Sequence, residues 1–367
     1  MRWYKKYSVI VSTLLVLLLC SELLLAQRQM EFLDRGLVVV SVPSGGNFIS
    51  WRSLVTDNDN LSFDLYREEK KSVPDGAVKL NKKAINKVTS FEDKTADSSK
   101  SYTYTLKEIE NKKWNGHEAN WFQPAHSKPY FSLPLQTPTG YTPNDASVAD
   151  LDGDGKYDVV IHMAGKGRDN SQAGFTDPPI FQAYTLSGKL LWTIKLGKNI
   201  REGAHYTQFM VYDLDGDGKA EVAMKTADGT IDGVGKVIGD SSKDWRSPKG
   251  YILAGPEFLT IFNGETGAAM ATTDFIPPRH PDKLQPNTDE LKAIWGDGYG
   301  NRMDRYLAAV AYLDGVHPSL VMTRGYYTRS VLTAWNWRNG KIDKLWTFDS
   351  DEPGGANRQY RGQGNHN

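Results

Sequence analysis

The chain has 367 residues, enough for two domains or more, and its 44 basic and 44 acidic residues balance to a formal charge of zero. That balance excludes a protein that grips a polyanion through a broad basic face, so no nucleic-acid partner is expected; a local basic pocket for an acidic sugar remains allowed. The 34 glycines, 10 Trp and 18 Tyr suit short strands joined by tight turns, and a single cysteine leaves stability to core packing and bound ions.

Arg2, Lys5 and Lys6 open the chain, Ser8 to Cys20 is almost wholly apolar, and Leu23-Leu24-Leu25 ends at the small Ala26. This is the pattern of a secretory signal over residues 1–26, and it predicts a secreted, periplasmic or cell-surface protein. Ser21 and Glu22 interrupt the apolar run, which is short for a span, so no stable membrane insertion is expected after cleavage. Leu19 before Cys20 makes a poor lipidation site.

Residues 27–135 carry no acidic repeat. Leu37–Val40, Phe48–Trp51, Ser62–Tyr66 and Ser101–Leu106 read as strands, the last two by their polar–apolar alternation. Asp75-Gly76 and Asn115-Gly116 are turn signals. Short strands without a helical stripe predict a small β-sandwich that resembles a fibronectin type III domain, with Trp51 in its core and Tyr102 and Tyr104 on a later strand. Pro124, Pro129, Pro134 and Pro138 lead into a second domain, 136–367.

There the string Ser147-Val-Ala-Asp-Leu-Asp-Gly-Asp-Gly-Lys-Tyr-Asp158 returns almost unchanged at Met210-Val-Tyr-Asp-Leu-Asp-Gly-Asp-Gly-Lys-Ala-Glu221. Asp150, Asp152 and Asp154 place carboxylates on alternate residues, glycines let the backbone curl, Lys156 offers its carbonyl, and Asp158 closes the shell. The second copy supplies Asp213, Asp215, Asp217, the Lys219 carbonyl and Glu221. Such an all-oxygen set suits Ca²⁺ better than Mg²⁺. Loop position twelve is Ile161 or Met224, and the flanks are strand-like, which excludes an EF-hand. Protein oxygens crowd the ion, so its expected role is to pin a corner of the fold.

Each acidic loop is followed by a strand, a variable loop and a strand pair turning at glycine: Phe181–Trp192, Phe258–Ala268 and Val331–Trp346. This meander is the unit of a β-propeller blade. The third unit, Ala309–Met322, keeps the strand frame, but Tyr312 stands where Asp150 and Asp213 stood and Val316 replaces the third carboxylate. The metal is therefore dispensable to the blade itself. A ring needs roughly four to eight blades, and three do not close, so the sequence predicts the N-terminal part of a longer ring with little activity of its own.

Several strings, Tyr141–Asp158, Lys225–Thr230, Trp295–Arg302, Arg324–Arg329 and Gly362–Asn367, resemble the rhamnogalacturonan lyases of polysaccharide lyase family eleven. The resemblance implies an all-β protein: a fibronectin III-like sandwich, then an eight-bladed propeller carrying several Ca²⁺ ions, of which about three blades are present. It implies β-elimination at galacturonate in the rhamnogalacturonan I backbone of pectin, by a protein monomeric at full length. It marks Asn144, His205, Arg302 and His366 as substrate contacts, Asp145 as a metal ligand beside the first loop, and Lys225, Arg324 and Arg329 as basic candidates for catalysis. One departure stands out: His162–Gln172 lacks the acidic residue expected directly after the first calcium strand. The alternative is a non-catalytic, calcium-stabilised propeller that binds glycan or protein. The strings outside the acidic loops favour the lyase.

Overall fold

The structure, a computed structural model, describes residues 30–73 and 75–363. The expected signal segment 1–26, Cys20 and His366 lie outside the described residues. Among the described residues, no helix is long and apolar enough to cross a membrane.

Among the described residues the chain is all-β apart from one short α-helix and one 3₁₀ turn, and the strands form five antiparallel sheets. The leading region holds two of them. Strands β1 (Val38–Ser41), β2 (Asn47–Ser50) and β5 (Ser90–Asp93) form one; β3 (Ser62–Glu69), β4 (Val78–Lys79), β6 (Tyr102–Glu110) and β7 (Lys113–Gln123) form the other, in the order β4-β3-β6-β7. Alternate residues of β6 point inward, so Tyr102, Tyr104 and Leu106 are buried with Ile49, Trp51 and Leu65. Trp51 meets Phe63 edge-on at 5.4 Å. The buried Tyr104 hydroxyl donates to Asp93 at 2.9 Å and accepts from Asn47 at 2.8 Å, so this core leaves no orphaned phenol.

The turn expected at Asn115-Gly116 is a correction. Those residues lie inside β7, and the β6–β7 hairpin turns at Asn111 and Lys112, with φ of 50° and 66°. Two successive residues at positive φ give the twist that a tight hairpin needs. A β-bulge between Lys107 and Ile109 absorbs the offset.

Three further sheets repeat one plan. The first runs β8 (Thr142–Ala149), β9 (Asp158–Ala164), β10 (Ile180–Thr185), β11 (Leu190–Lys195). The second runs β12 (Phe209–Tyr212), β13 (Glu221–Thr226), β16 (Phe258–Asn263), β17 (Ala269–Asp274), and the third β18 (Tyr306–Ala311), β19 (Ser319–Arg324), β20 (Val331–Arg338), β21 (Lys341–Asp349). Each is a meander, and each carries a bulge starting at the fourth residue of its third strand: Ala183, Ile261 and Ala334. The leading strands are neighbours, since β12 packs against both β8 and β18.

The first sheet has six strands rather than four. The long loop after β13 sends back β14 (Thr230–Ile231) and β15 (Val237–Ile238), and Ile231 pairs with Lys195 on the outer edge of β11. An exposed sheet edge is thereby covered by the next unit. Apolar cores lie between consecutive sheets. Phe181, Trp192, Val222 and Phe262 join the first to the second; Ile261, Phe275, Leu320 and Trp335 join the second to the third. Gly264 sits at the first junction, with its carbonyl accepting from the Trp192 indole at 2.6 Å.

The helix α1 (Thr288–Trp295) was not expected from a propeller meander, although its signal is in the sequence. Asn287 caps the backbone N–H groups of Asp289 and Glu290, and Glu290 reaches back to the Asn287 N–H, a reciprocal capping box. Leu291 and Trp295, four apart, bury one face.

Candidate functional site

The two ends of the repeated sheets carry different chemistry. At one end lie the acidic turns. Gly153 and Gly155 take φ of 80° and 82°, and Gly216 and Gly218 take 84° and 89°, a region open to glycine without steric cost. The kinks turn backbone N–H groups inward. Gly153 and Gly155 donate to Asp150 at 2.8 and 2.7 Å, and Gly216 and Gly218 to Asp213 at 2.6 and 3.1 Å. The closing carboxylates, Asp158 and Glu221, accept from Leu151 and Leu214.

Asp150, Asp152 and Asp158 offer oxygens within 4.8 Å of one another, and so do Asp213, Asp215 and Glu221. That spread is about twice a Ca²⁺–oxygen bond of roughly 2.3–2.6 Å, so each trio can surround one ion. Burial first, then the neighbouring aspartates, pushes Asp158 up to about 6 and Glu221 up to about 8. Such carboxylates repel unless protons or a cation sit among them, and the hard all-oxygen donor set fits Ca²⁺. The fourth carboxylates stay outside the trios. Asp154 takes the Lys156 backbone N–H at 2.8 Å and its ammonium at 2.7 Å; Asp217 takes the Lys219 N–H at 2.8 Å. The Lys219 ammonium turns to Glu265 at 2.6 Å. Asp145 is exposed on β8 and belongs to neither trio.

The two turns touch, the Ala220 N–H donating to the Asp150 carbonyl at 2.7 Å. At the corresponding corner of the third sheet, Tyr312 meets the Tyr212 hydroxyl at 2.8 Å, and Ser319 stands at the start of β19 as Asp158 and Glu221 start β9 and β13.

At the opposite end the leading strands begin. Asn144 and Asp145 are exposed in a bulge of β8 between Pro143 and Ala146. His205 precedes β12 and Arg305 precedes β18, and Arg305 donates to His205 Nε2 at 2.7 Å. The Arg305 guanidinium lies 4.0 Å from the Tyr326 ring centre; that of Arg302 lies 5.3 Å from Tyr326 and 4.9 Å from Tyr327. Asp297 shapes the loop that presents Arg302, accepting the N–H groups of Tyr299, Gly300, Asn301 and Arg302. Tyr327 is 48% exposed, so an aromatic face and two guanidinium groups flank one surface. Beside the first sheet, buried His162 pairs with Glu202 at 3.0 Å and stacks on Phe181. In the loop that follows β9, Asp177 accepts the Lys166 N–H at 2.8 Å.

Two of the basic candidates converge beneath this surface. Buried Glu257 receives Lys225 at 2.9 Å, Arg279 at 3.0 Å and Arg324 at 2.7 Å. Arg324 also reaches Asp304 at 3.2 Å, and the Tyr306 hydroxyl, with one proton to give, lies 3.0 Å from Asp304 and 3.2 Å from Glu257. Burial opposes ionisation of Glu257, yet Arg279, Arg324 and Lys225 together hold its carboxyl well below the usual range. Burial lowers Lys225, with Glu257 opposing. Arg324 is fully enclosed, sandwiched near Trp295 and Tyr306. Arg324 thus ties the third sheet to Glu257 of the second and is fully enclosed, and Lys225 joins the same cluster, nearly enclosed. Arg329 is held by Asp349 through two nitrogens, at 3.0 and 2.6 Å.

Glu202, Glu257, Arg279, Asp304, Arg305, Tyr326 and Tyr327 were not singled out from the sequence. Only Tyr326 and Tyr327 lie in a string that drew notice; the others come together through loops far apart in the chain.

Residues 132–367 match the family model described as rhamnogalacturonan lyase family 11, C-terminal domain, and residues 28–121 match the rhamnogalacturonan I lyase beta-sheet domain. The chain is 49% identical to the rhamnogalacturonan endolyase YesW of Bacillus subtilis (strain 168) over 359 residues, covering 93% of this chain and 53% of that protein. It is equally 49% identical to the exolyase YesX of the same strain over 347 residues, with the same coverage. Among solved structures it resembles the Bacillus licheniformis rhamnogalacturonan lyase PL11 (TM-score 0.81, 47% identity, 92% of this chain and 55% of that one). It also resembles the exotype lyase YesX (TM-score 0.79, 46% identity, 89% and 52%). The chain therefore spans about half the length of the curated relatives it matches.

Proposed function

The chain belongs to rhamnogalacturonan lyase family 11, and on that premise we propose that it forms part of a lyase cleaving the rhamnogalacturonan I backbone of pectin by β-elimination at galacturonate. The observation that carries this reading is the surface where Arg305, held by His205 and stacked on Tyr326, stands beside Arg302 and exposed Tyr327. β-Elimination passes the C5 proton of galacturonate, next to its carboxylate, to a base, forms the C4–C5 double bond and breaks the C4–O bond, the leaving oxygen taking up a proton. The C5 proton becomes acidic when the carboxylate charge is neutralised and the developing enolate is stabilised. Guanidinium groups supply that charge in fixed planar geometry, and an aromatic face takes the sugar ring. Asn144, exposed in the β8 bulge at the same end, is assigned a substrate contact, as is His366 by resemblance.

The three repeated meanders are read as consecutive propeller blades behind a fibronectin III-like sandwich, in a secreted protein. Ca²⁺, when bound, supplies positive charge that holds each acidic turn in one conformation. Asp150, Asp152 and Asp158 would hold one ion, and Asp213, Asp215 and Glu221 another. Lys225 and Arg324 take a positioning role, fixing the loops that carry Arg302 and Arg305.

The test is rhamnogalacturonan I incubated with the protein at the full length of its relatives. Absorbance from a new unsaturated uronate should appear, fall with chelator, and drop by roughly a hundredfold in Arg305→Ala, in line with loss of one preorganised charge contact. No absorbance at any calcium level would sink the lyase reading, and binding without absorbance would favour the non-catalytic alternative.

A further inference from the structure

The loop between β9 and β10, residues 165–179, has no part in the chemistry above, yet it leaves its own sheet. Its base is closed by the Asp177 N–H, which donates to the Lys166 carbonyl at 3.0 Å. Buried Glu202 clasps it: the Glu202 carbonyl accepts the Arg168 N–H at 3.0 Å, and the Glu202 N–H goes to the Thr176 hydroxyl at 3.0 Å. Gly203 keeps this clasp tight, since a Cβ there would lie 2.2 Å from the Arg168 carbonyl oxygen. Buried Arg201 donates to the carbonyls of Gln172 and Gly174. The far side then touches the second unit, the Tyr251 hydroxyl donating to the Ser171 carbonyl at 3.2 Å.

Asn170 stands among these anchors with no exposed surface. Its side-chain amide donates to the Asp304 carbonyl, 134 positions further along the chain. That carbonyl belongs to the peptide that joins Asp304 to Arg305. The Arg305 Nε is enclosed and makes no hydrogen bond, so the guanidinium is placed by His205 at its tip and by its own backbone at its root. A shift of that peptide is carried to the tip, where small misplacements weigh heavily on a reacting group. The Asn170 Oδ1 is enclosed and has no partner. A half-satisfied buried amide costs stability, and the one side-chain bond that this amide makes goes to the root of the substrate-facing arginine.

We propose that Asn170 is a positioning residue for Arg305, so that the loop 165–179 of the first unit acts as a strut that sets the guanidinium presented ahead of the third sheet. This rests on reading the Arg302–Arg305 surface as the place where the galacturonate carboxylate is met. Asn170 itself is enclosed and touches no substrate; it acts through the Asp304–Arg305 peptide. The loop is clasped to Glu202 and Arg201 at one side and held by Tyr251 at the other, so it is stiff enough to transmit that support.

The experiment has two arms. In the chain itself, hydrogen exchange is compared between the parent, Asn170→Ala and Asn170→Leu, the last keeping the side chain's shape without its donor. Exchange over residues 303–306 should quicken by roughly tenfold in both variants, while β9 and β10 stay protected. In the protein at the full length of its relatives, cleavage of rhamnogalacturonan I is measured for Asn170→Ala, Asn170→Leu, Arg305→Ala and the double variants. Each Asn170 variant should lower kcat/KM by roughly tenfold, chiefly through kcat, and by less than about twofold once Arg305 is already Ala. Equal losses in both backgrounds overturn the proposal, and so does unchanged exchange over residues 303–306; either leaves the lyase reading standing. Full activity in Asn170→Leu beside a loss in Asn170→Ala also overturns it, by making Asn170 a packing group, as does failure of both variants to fold. A full-length parent that cleaves nothing sinks the lyase reading instead, and the exchange arm still decides whether Asn170 holds the Arg305 segment.

Discussion

Replacing Glu257 by Gln would test the buried charge cluster most directly. The native cluster sets Lys225, Arg279 and Arg324 against Glu257 and Asp304. The substitution keeps the shape and removes one of the two anions, leaving three enclosed cations against Asp304. Removing one partner of a buried ion pair costs about 3–5 kcal/mol. For a cooperative unit of roughly 150–250 residues, that lowers Tm by roughly 6–20 °C. The pH dependence has a definite sign. In the native chain Glu257 is held below its ordinary value, so its contribution is complete above about pH 4.3 and is lost only as pH falls through the depressed value. In the variant, Lys225 has lost its countercharge and its folded pKa falls further below the unfolded value of about 10.4. The unfolded chain then binds more protons, so the variant recovers stability as pH rises toward that value. The double variant Glu257→Gln with Lys225→Met should recover part of the loss, since a well-packed apolar side chain replaces an unpaired charge. Urea unfolding at pH 6 and pH 9 measures all of this. A loss under about 1 kcal/mol, or a loss independent of pH, would refute the cluster as the tie between the second and third sheets.

Three further outcomes are expected. Chelator should lower Tm and added Ca²⁺ should restore it, with scanning calorimetry as the check; an unchanged Tm would mean the acidic turns need no ion. Asp152→Asn and Asp215→Asn should each remove one class of Ca²⁺ site from a calorimetric titration, whereas Asp314→Asn in the third sheet should remove none, because Asp314 is already engaged with His317. Gly264→Ala should destabilise by roughly 1–3 kcal/mol, because the new methyl would run into the Ala220 carbonyl at the junction of the first two sheets; a neutral result would show that this junction gives way.

The repeat was legible because its chemistry is local. Alternate carboxylates, glycines at positive φ and a β-branched run lie within a dozen residues, and the structure brings Asp150, Asp152 and Asp158 together accordingly. The places of Asp154 and Asp217 were not legible, since their orientation is set by hydrogen bonds to Lys156 and Lys219 two residues on. Lys225 and Arg324 drew notice as basic residues in distinctive strings, but their enclosure depends on Glu257, which no sequence pattern links to either. Helix α1 was legible in principle from Asn287 and Glu290, and was missed because a meander left no place for it. The aromatic–guanidinium surface depends on Arg305 meeting His205 across 100 positions of chain, a juxtaposition that no local pattern carries.

The hydroxyl pair of Tyr212 and Tyr312 occupies the corner of the third sheet that corresponds to the acidic turns. It is neutral, and neither chelator nor salt has any purchase on it. The seam between the first two sheets lies among carboxylates; at the next, this phenol pair stands beside the contact of Arg338 with the Leu214 carbonyl and above the buried Glu257 cluster. If the acidic turns hold calcium, its removal would loosen those turns and spare the phenol pair and the Glu257 cluster, so partial proteolysis under chelation should cut at the acidic turns before it parts the second sheet from the third.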